Sequence, residues 1–480
     1  MDLQAGVDPA LLARERALKR AFEDWALRYR KSSAESAGTA DVRALAREYR
    51  SLEDRHSELQ AEVRSKSPHY AALTQPQPLR MRDVQARVLD EQTLLLEYAL
   101  GEARSYVWAV SKEGFGSYEL PPRKNIEQAA RRVYERLTAR TAATGKPADR
   151  RRLVQRADAE YWKEAGRLSD MILAPVASRM IGKRLVVVTD GALQYLPFAA
   201  LPAPGRGPQP LPLLVEHEIV SLPSASVLAL LRQESGKSTP AAKAIAVFAD
   251  PVFEADDPRL RAVALARNRG TETAQRPLRP SLRDALTAIP RLASTREEAA
   301  VIVRAAPAGS TWSAIDFDAS RATAITADLA QFRVVHFATH GVFDDEDPGR
   351  SGIVLSLFDK QGRPQDGLLR LRDIYGLELA ADLVVLSACN TALGKAVEGE
   401  GLVGIVRGFM HAGTKRVVAS HWRVDDEATG ELMKRFYLAM FKEGRPPAAA
   451  LREAQLAMLQ QERWQAPFYW AAFVLQGEYR

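Results

Sequence analysis

The chain carries one cysteine, Cys389, at the end of the run Asp382-Leu-Val-Val-Leu-Ser-Ala-Cys389-Asn-Thr. Leu383 to Leu386 are consecutive branched apolar residues, a pattern that predicts a strand buried on both faces. Cys389 would then lie near the carboxyl end of that strand, where open α/β sheets place their ligand crevices. About 50 residues upstream, a second strand-like run, Arg333-Val-Val-His336-Phe-Ala-Thr-His340-Gly341, ends in a histidine. A thiol and an imidazole at neighbouring strand ends could act as nucleophile and base. Against this stands the other use of a lone cysteine, as a small buried hydrophobe. The strand-end histidine followed by glycine favours the dyad.

The other residues that could do chemistry have plainer readings beside them. His336 and His340 share a strand face by the two-residue period. Zinc sites with this histidine spacing use a helix and a glutamate after the first histidine. Here the stretch is strand-like and Phe337 takes that place, so no metal is expected, and no cofactor is implied. His336, His411 and His421 read as hydrogen-bonded structural histidines. Asp425 and Asp426 stand before a predicted helix, where either can serve as N-cap. Glu398 and Glu400 follow the cysteine and could face the same cleft.

The elements that must position these residues alternate along the second half. Strand patterns at Val334 to Ala338, Leu383 to Ser387, Arg416 to Ser420 and Ala471 to Leu475 alternate with helical ones. The helical patterns cover Gly401 to His411, Ala428 to Lys442 and Pro447 to Gln461. That order implies a mostly parallel, helix-flanked sheet. It begins with the strand Ala244 to Ala249, a polar loop from Asp250 to about Pro290, and a helix over Ser294 to Val303 capped by Ser294 or Thr295. The loop is long enough to suggest disorder or an activation function. Gly413 and Gly444 fall where helix C-caps belong. Residues near 80 to 235 form a separate α/β pattern. It has a hairpin at Thr93 to Val110, helices at Ile126 to Arg140 and Tyr161 to Ile181, and a buried strand at Leu185 to Thr189. That region has no cysteine and only His217, so it carries no evident dyad. Residues 236 to 243 form a linker. Residues 1 to about 70 read as a helical hairpin, with Leu18, Leu52 and Leu59 among its apolar positions.

Length and composition bound the class. The chain of 480 residues suggests two to three domains. One cysteine excludes an intrachain disulfide and fits a reducing cytoplasm. No apolar stretch approaches the ~20 residues of a membrane span, and the start lacks the basic beginning and apolar core of a secretion signal. The net charge is +7. The densest basic region, Arg131 to Arg152, lacks the interleaved aromatics or knuckles of a nucleic-acid binder. It reads as a solvated helix face, so direct nucleic-acid binding is not expected.

Several segments together resemble the CHAT family of caspase-like, separase-related proteases, which are often joined to tetratricopeptide arrays. They are His336-Phe-Ala-Thr-His340-Gly341, Leu386-Ser-Ala-Cys389-Asn-Thr-Ala392, Glu400-Gly-Leu-Val-Gly404, Val417 to Asp426 and Pro467-Phe-Tyr-Trp470-Ala-Ala-Phe473. Leu185 to Leu201 resembles the family's degenerate first half. The resemblance implies a caspase-like α/β fold: a helical segment over 1–75, a degenerate half over 76–236 and an active half over 244–480. It implies a cysteine endopeptidase making specific cleavages in a protein substrate. Cys389 would be the nucleophile and His340 the base, with the N–H groups of Gly341 and Cys389 as the oxyanion hole. In separase-like relatives the loop after the third strand lends an acid to the P1 pocket, the cleft for the substrate residue before the cut bond. Asp426 matches that acid by its spacing from Trp422. A regulatory protein partner would bind through the N-terminal helices, although residues 1–70 show no clear 34-residue repeat.

Two readings of other classes remain. One is a catalytically silent caspase-like scaffold that binds peptides or partner proteins. Nothing structural requires Cys389 and His340-Gly341 together, which argues against it. The other is a basic nucleic-acid-binding regulator, which rests on net charge alone.

Overall fold

The computed structural model describes residues 78–142, 146–205, 211–235, 241–260, 289–342, 351–390, 400–422 and 425–480, with scattered positions between 14 and 62. The chain divides into two compact units, Met1–Pro78 and Leu79–Arg480. In the first, the described positions between 14 and 62 are helical. Leu18, Leu52 and Leu59 are buried, and Arg14 pairs with Glu62 at 2.5 Å.

The second unit is built on one mixed sheet with thirteen strands among the described residues. Its first stretch supplies β1 (Thr93–Ala99), β2 (Ser105–Val110), β3 (Phe115–Leu120), β4 (Arg184–Val188) and β5 (Ile219–Leu222). The second supplies β6 (Lys243–Ala249), β7 (Thr311–Ile315), β8 (Phe332–Val342), β9 (Gly352–Val354) and β10 (Leu368–Arg370). It continues with β11 (Leu383–Asn390), β12 (Arg416–Ser420) and β13 (Phe473–Gly477). The order across the sheet is β10-β9-β8-β11-β12-β13-β5-β4-β1-β2-β3, with β6 also on β8 and β7 on β6. The central pairs β6–β8, β8–β11 and β11–β12 are parallel. They need crossover helices, which cover both faces and explain the continuous apolar runs.

The helices that matter for the site are α1 (Ser294–Ala305), α2 (Glu400–His411), α3 (Asp426–Phe441) and α4 (Pro447–Leu459). Val334, Ala338, Leu383 and Val385 pack in one core with Ala299 and Ile302 of α1 and Leu432, Met433 and Phe436 of α3. The alternate residues Val335, Phe337, Val384 and Leu386 pack on the other side with Ile405, Val406 and Phe409 of α2. The two-residue alternation of the strands thus sorts each run between two cores. Gly413 and Gly444 end α2 and α3 with φ of 107° and 68°, the left-handed conformation that glycine adopts without strain.

The two stretches of the sheet join at β13 and β5 through the pair Gln476↔Ser221. Side chains reinforce the seam. Arg452 of α4 donates to the carbonyls of Leu214, Val215 and His217. Arg232 grips Glu478 with two bonds of 2.5 and 2.8 Å. In the basic region, Arg132, Arg136 and Arg140 pair with Glu164, Glu160 and Asp158 at 3.0, 2.9 and 2.6 Å. Among the described residues no helix is long and apolar enough to cross a membrane.

One expected detail is corrected. Neither Ser294 nor Thr295 caps α1, because Ala293 is its N-cap residue. The Thr295 hydroxyl instead donates to the Leu292 carbonyl at 2.7 Å and accepts from the Asp250 N–H at 3.0 Å. It spends its hydrogen bonds joining the end of β6 to the helix start.

Candidate active site

His340 and Cys389 are register partners on adjacent parallel strands. The β8–β11 ladder runs in step from Val334↔Leu383 to Gly341↔Asn390, and places Cys389 opposite His340. Neighbouring strands lie about 4.8 Å apart, so the two backbones are side by side at the carboxyl ends of their strands. Both positions have the parity of Val334, Ala338, Leu383 and Val385, which share one core.

His340 is buried, with 1 % of its surface exposed. Its Nε2 lies 2.8 Å from the carbonyl oxygen of Pro290. A carbonyl only accepts, so Nε2 carries the proton and donates it. In the neutral ring Nδ1 is then the basic nitrogen. The Phe253 ring meets the imidazole edge to face at 5.1 Å. Phe253 and Pro290 stand near the two ends of the Asp250–Pro290 segment, of which residues 261–288 lie outside the described residues.

That segment carries residues the sequence reading passed over. The Asp250 side chain is fully buried. Its carboxylate accepts from Arg291 Nε at 2.8 Å and Nη2 at 2.7 Å, and from Arg296 Nε at 2.8 Å. Arg259 Nη1 lies 3.2 Å away. Arg259 also binds Asp257 and Asp316. Burial works to raise the carboxyls of Asp257 and Asp316, but the hydrogen bonds and charge of these arginines outweigh it and hold both below the usual range. The available signal was Asp250-Pro251 directly after a buried strand, with Arg291 and Arg296 flanking the next helix start.

His336, four residues before His340 on the same strand, has an assigned neighbourhood. Its Nδ1 lies 2.9 Å from the Tyr437 hydroxyl and its Nε2 3.0 Å from Glu298 Oε1. The three buried groups tie β8 to α1 and α3 beneath the site. His217 is buried with Nδ1 2.8 Å from the Lys183 carbonyl. It sits in the β4–β5 region, far along the sheet order from β8 and β11. His421, just past β12, is buried, and desolvation pushes its imidazole down to about 4. Burial lowers His411 as well.

The acidic candidates separate. Asp425 is the N-cap of α3, its Oδ1 accepting from the Ala428 N–H at 3.0 Å. Asp426 is the first residue of the helix and exposed. It follows β12, which lies beside β11, so three consecutive strands lead to His340, Cys389 and Asp426. Gly341 pairs with Asn390 on one side and Ile353 on the other. Glu398 lies outside the described residues, and Glu400 opens α2.

The model of the CHAT domain family matches residues 163–478. The chain is similar to tetratricopeptide repeat protein 28, with 34 % identity over 110 residues in the Mus musculus protein and 32 % over 113 in the Homo sapiens one. Those matches cover 23 % and 24 % of this chain and 4 % of either relative. Among solved structures it is similar to Saccharomyces cerevisiae separase in its complex with securin. A 3.0 Å structure covers 87 % of this chain and 31 % of that one, at 9 % identity and a TM-score of 0.50. A 2.6 Å structure covers 83 % and 31 %, at 10 % identity and a TM-score of 0.48. The likeness to separase is one of fold: a mixed sheet with parallel strands, flanked by helices.

Proposed function

This chain belongs to the CHAT domain family, and from that premise we propose that it is a cysteine endopeptidase that cuts protein substrates at specific sites. The observation that carries the reading is the register pairing of Cys389 with His340 at adjacent strand ends. The Pro290 carbonyl supports it by fixing the tautomer of His340.

In the proposed reaction, His340 Nδ1 takes the thiol proton as Cys389 sulfur bonds to the scissile carbonyl carbon. The carbonyl electrons move onto oxygen, and the N–H groups of Gly341 and Cys389 stabilise that oxyanion. Each such donor contributes about 3 kcal/mol to lowering the barrier. The imidazolium then gives its proton to the leaving amine as the C–N bond breaks. Water, deprotonated by the same Nδ1, hydrolyses the thioester and restores the thiol. Nε2 keeps its proton throughout, because the Pro290 carbonyl can accept but not donate.

Asp426 is the proposed P1 acid; it is exposed at the start of the helix that follows β12, and a carboxylate in that role would select a basic P1 residue. The first stretch, 76–236, contributes no catalytic group in this reading. The helical unit at 1–75 is the proposed seat of a regulatory protein partner, and the proposed compartment is the cytoplasm.

The test is cleavage of a cell lysate by the wild-type chain and by Cys389→Ala and His340→Ala, with new N-termini labelled and sequenced by mass spectrometry. The reading expects a small set of cuts sharing one P1 class, absent from both variants. Identical cut sets in wild type and Cys389→Ala would reject it.

A further inference from the structure

We propose that Asp250 and Arg291 are positioning residues for His340, acting through the Pro290 carbonyl; this rests on the dyad reading above. Three observations converge. First, Asp250 directly follows β6, whose last residue Ala249 pairs with Ala338 on β8. The Asp250 backbone is therefore anchored one residue from the level of His340. Second, Arg291 places Nε and Nη2 on the two carboxylate oxygens of Asp250 at 2.8 and 2.7 Å. A two-point guanidinium–carboxylate contact fixes direction as well as distance. Third, the residue bonded to Arg291 is Pro290, whose carbonyl accepts from His340 Nε2 at 2.8 Å. The chain of contacts from Asp250 to the imidazole has no gap.

The surroundings stiffen this chain. Asp250 adopts φ of 47°, a conformation uncommon for a residue other than glycine. It is held there by its N–H bond to Thr295, by Arg259 on its own carbonyl at 2.7 Å, and by Arg296. Proline fixes its own φ, so the Pro290 carbonyl direction depends on the residue that follows. A simpler fold would need no buried carboxylate here, since a loop end can be held by apolar packing. A buried charge with three guanidiniums is costly to build. Its effect is to hold one backbone oxygen at a fixed point in front of Nε2. Without that oxygen the ring can turn or change tautomer, and Nδ1 is no longer held as the basic nitrogen.

The single cysteine makes a direct test available. The rate of iodoacetamide alkylation of Cys389 is followed from pH 5 to 9 in the full chain, beside a thermal melt. The variants are Arg291→Ala, Arg291→Lys, Asp250→Asn and His340→Ala, with Arg232→Ala as a control that breaks a remote ion pair. An isolated thiol titrates near ~8.5 and one paired with imidazole well below it. Wild type should therefore alkylate with a midpoint below that of His340→Ala. Arg291→Ala should move the midpoint toward His340→Ala and slow alkylation at pH 6.5 by roughly 10-fold. It should still melt near wild type, because Asp250 keeps Arg259 and Arg296. Arg291→Lys should fall between. Arg232→Ala should lower the melting temperature and leave the profile unmoved. If Asp250→Asn does not fold, Arg291→Ala alone decides. A profile for Arg291→Ala that coincides with wild type while His340→Ala shifts overturns the positioning role and spares the dyad. Coincidence of wild type with His340→Ala overturns both.

Discussion

Acid should weaken this protein through His421 before its carboxylates respond. The imidazole is buried just past β12, and desolvation is the largest cause of its lowering to about 4 from 6.5; a hydrogen bond to the Tyr195 backbone offsets only part. A depressed histidine is neutral in the folded chain and takes up a proton only on unfolding. Its contribution is therefore present above the unfolded value of about 6.5 and is lost as pH falls toward the folded value. A separation of about 2.5 units corresponds to roughly 3 kcal/mol over the whole range. From pH 7 to pH 5 the loss is about 2 kcal/mol. Asp257, Asp316, Asp373 and Asp382 have lowered carboxyls. Their contributions are lost only as pH falls below the ordinary carboxylate range, so the window from 7 to 5 belongs mainly to histidine. The assay is urea unfolding at pH 7, 6 and 5 for wild type and His421→Gln. The variant starts less stable, but its curve should fall less over the window, by about 2 kcal/mol. His336, His411 and the acids are common to both chains and cancel. Parallel curves would refute the assignment of a buried, neutral imidazole.

Four further outcomes are expected. Tyr437→Phe removes the hydroxyl on His336 Nδ1 and should cost about 1–3 kcal/mol, read as a lower urea midpoint with unchanged slope. Asp425→Ala should lose about 1 kcal/mol of cap and leave peptide turnover intact. Asp426→Asn should do the reverse, keeping stability and lowering kcat/KM for Arg and Lys at P1 by roughly 10-fold or more. An aliphatic or acidic P1 preference untouched by Asp426→Asn would reduce that residue to the helix start. His217→Ala should leave turnover of any cleaved peptide unchanged, and a large loss without unfolding would move the site.

Much of the central sheet was legible because its strands are buried on both faces. The runs at Leu383 and Arg416 announce themselves by unbroken apolar residues, and they coincide with β11 and β12. The strands that went unread are edge or short ones. β3, Phe115–Leu120, alternates exposed and half-buried positions and carries little apolar signal. β9 and β10 have three residues each, too few to show a period. The helix over Tyr161 to Ile181 begins earlier, at Pro147, and ends at Ile172, because its charged first turns face solvent and hide the apolar spacing. The strand positions of His340 and Cys389 were readable from pattern. The Asp250–Arg291–Pro290 chain was not, since it joins the end of one strand to the far end of a long segment. No local period reports a contact of that kind. The N-cap of α3 could be narrowed to Asp425 or Asp426 by type, and only the hydrogen bond to Ala428 chooses between them.

The central claim, that His340 activates Cys389 for attack on a peptide carbonyl, is met most directly by a peptidyl acyloxymethyl ketone with arginine at P1. The reagent transfers its peptidyl group to an activated thiolate and releases a carboxylate, so intact mass reads the event on the one cysteine. One adduct on Cys389 is expected in wild type, with a rate that collapses in His340→Ala while the melting temperature holds. Equal labelling of wild type and His340→Ala would contradict it.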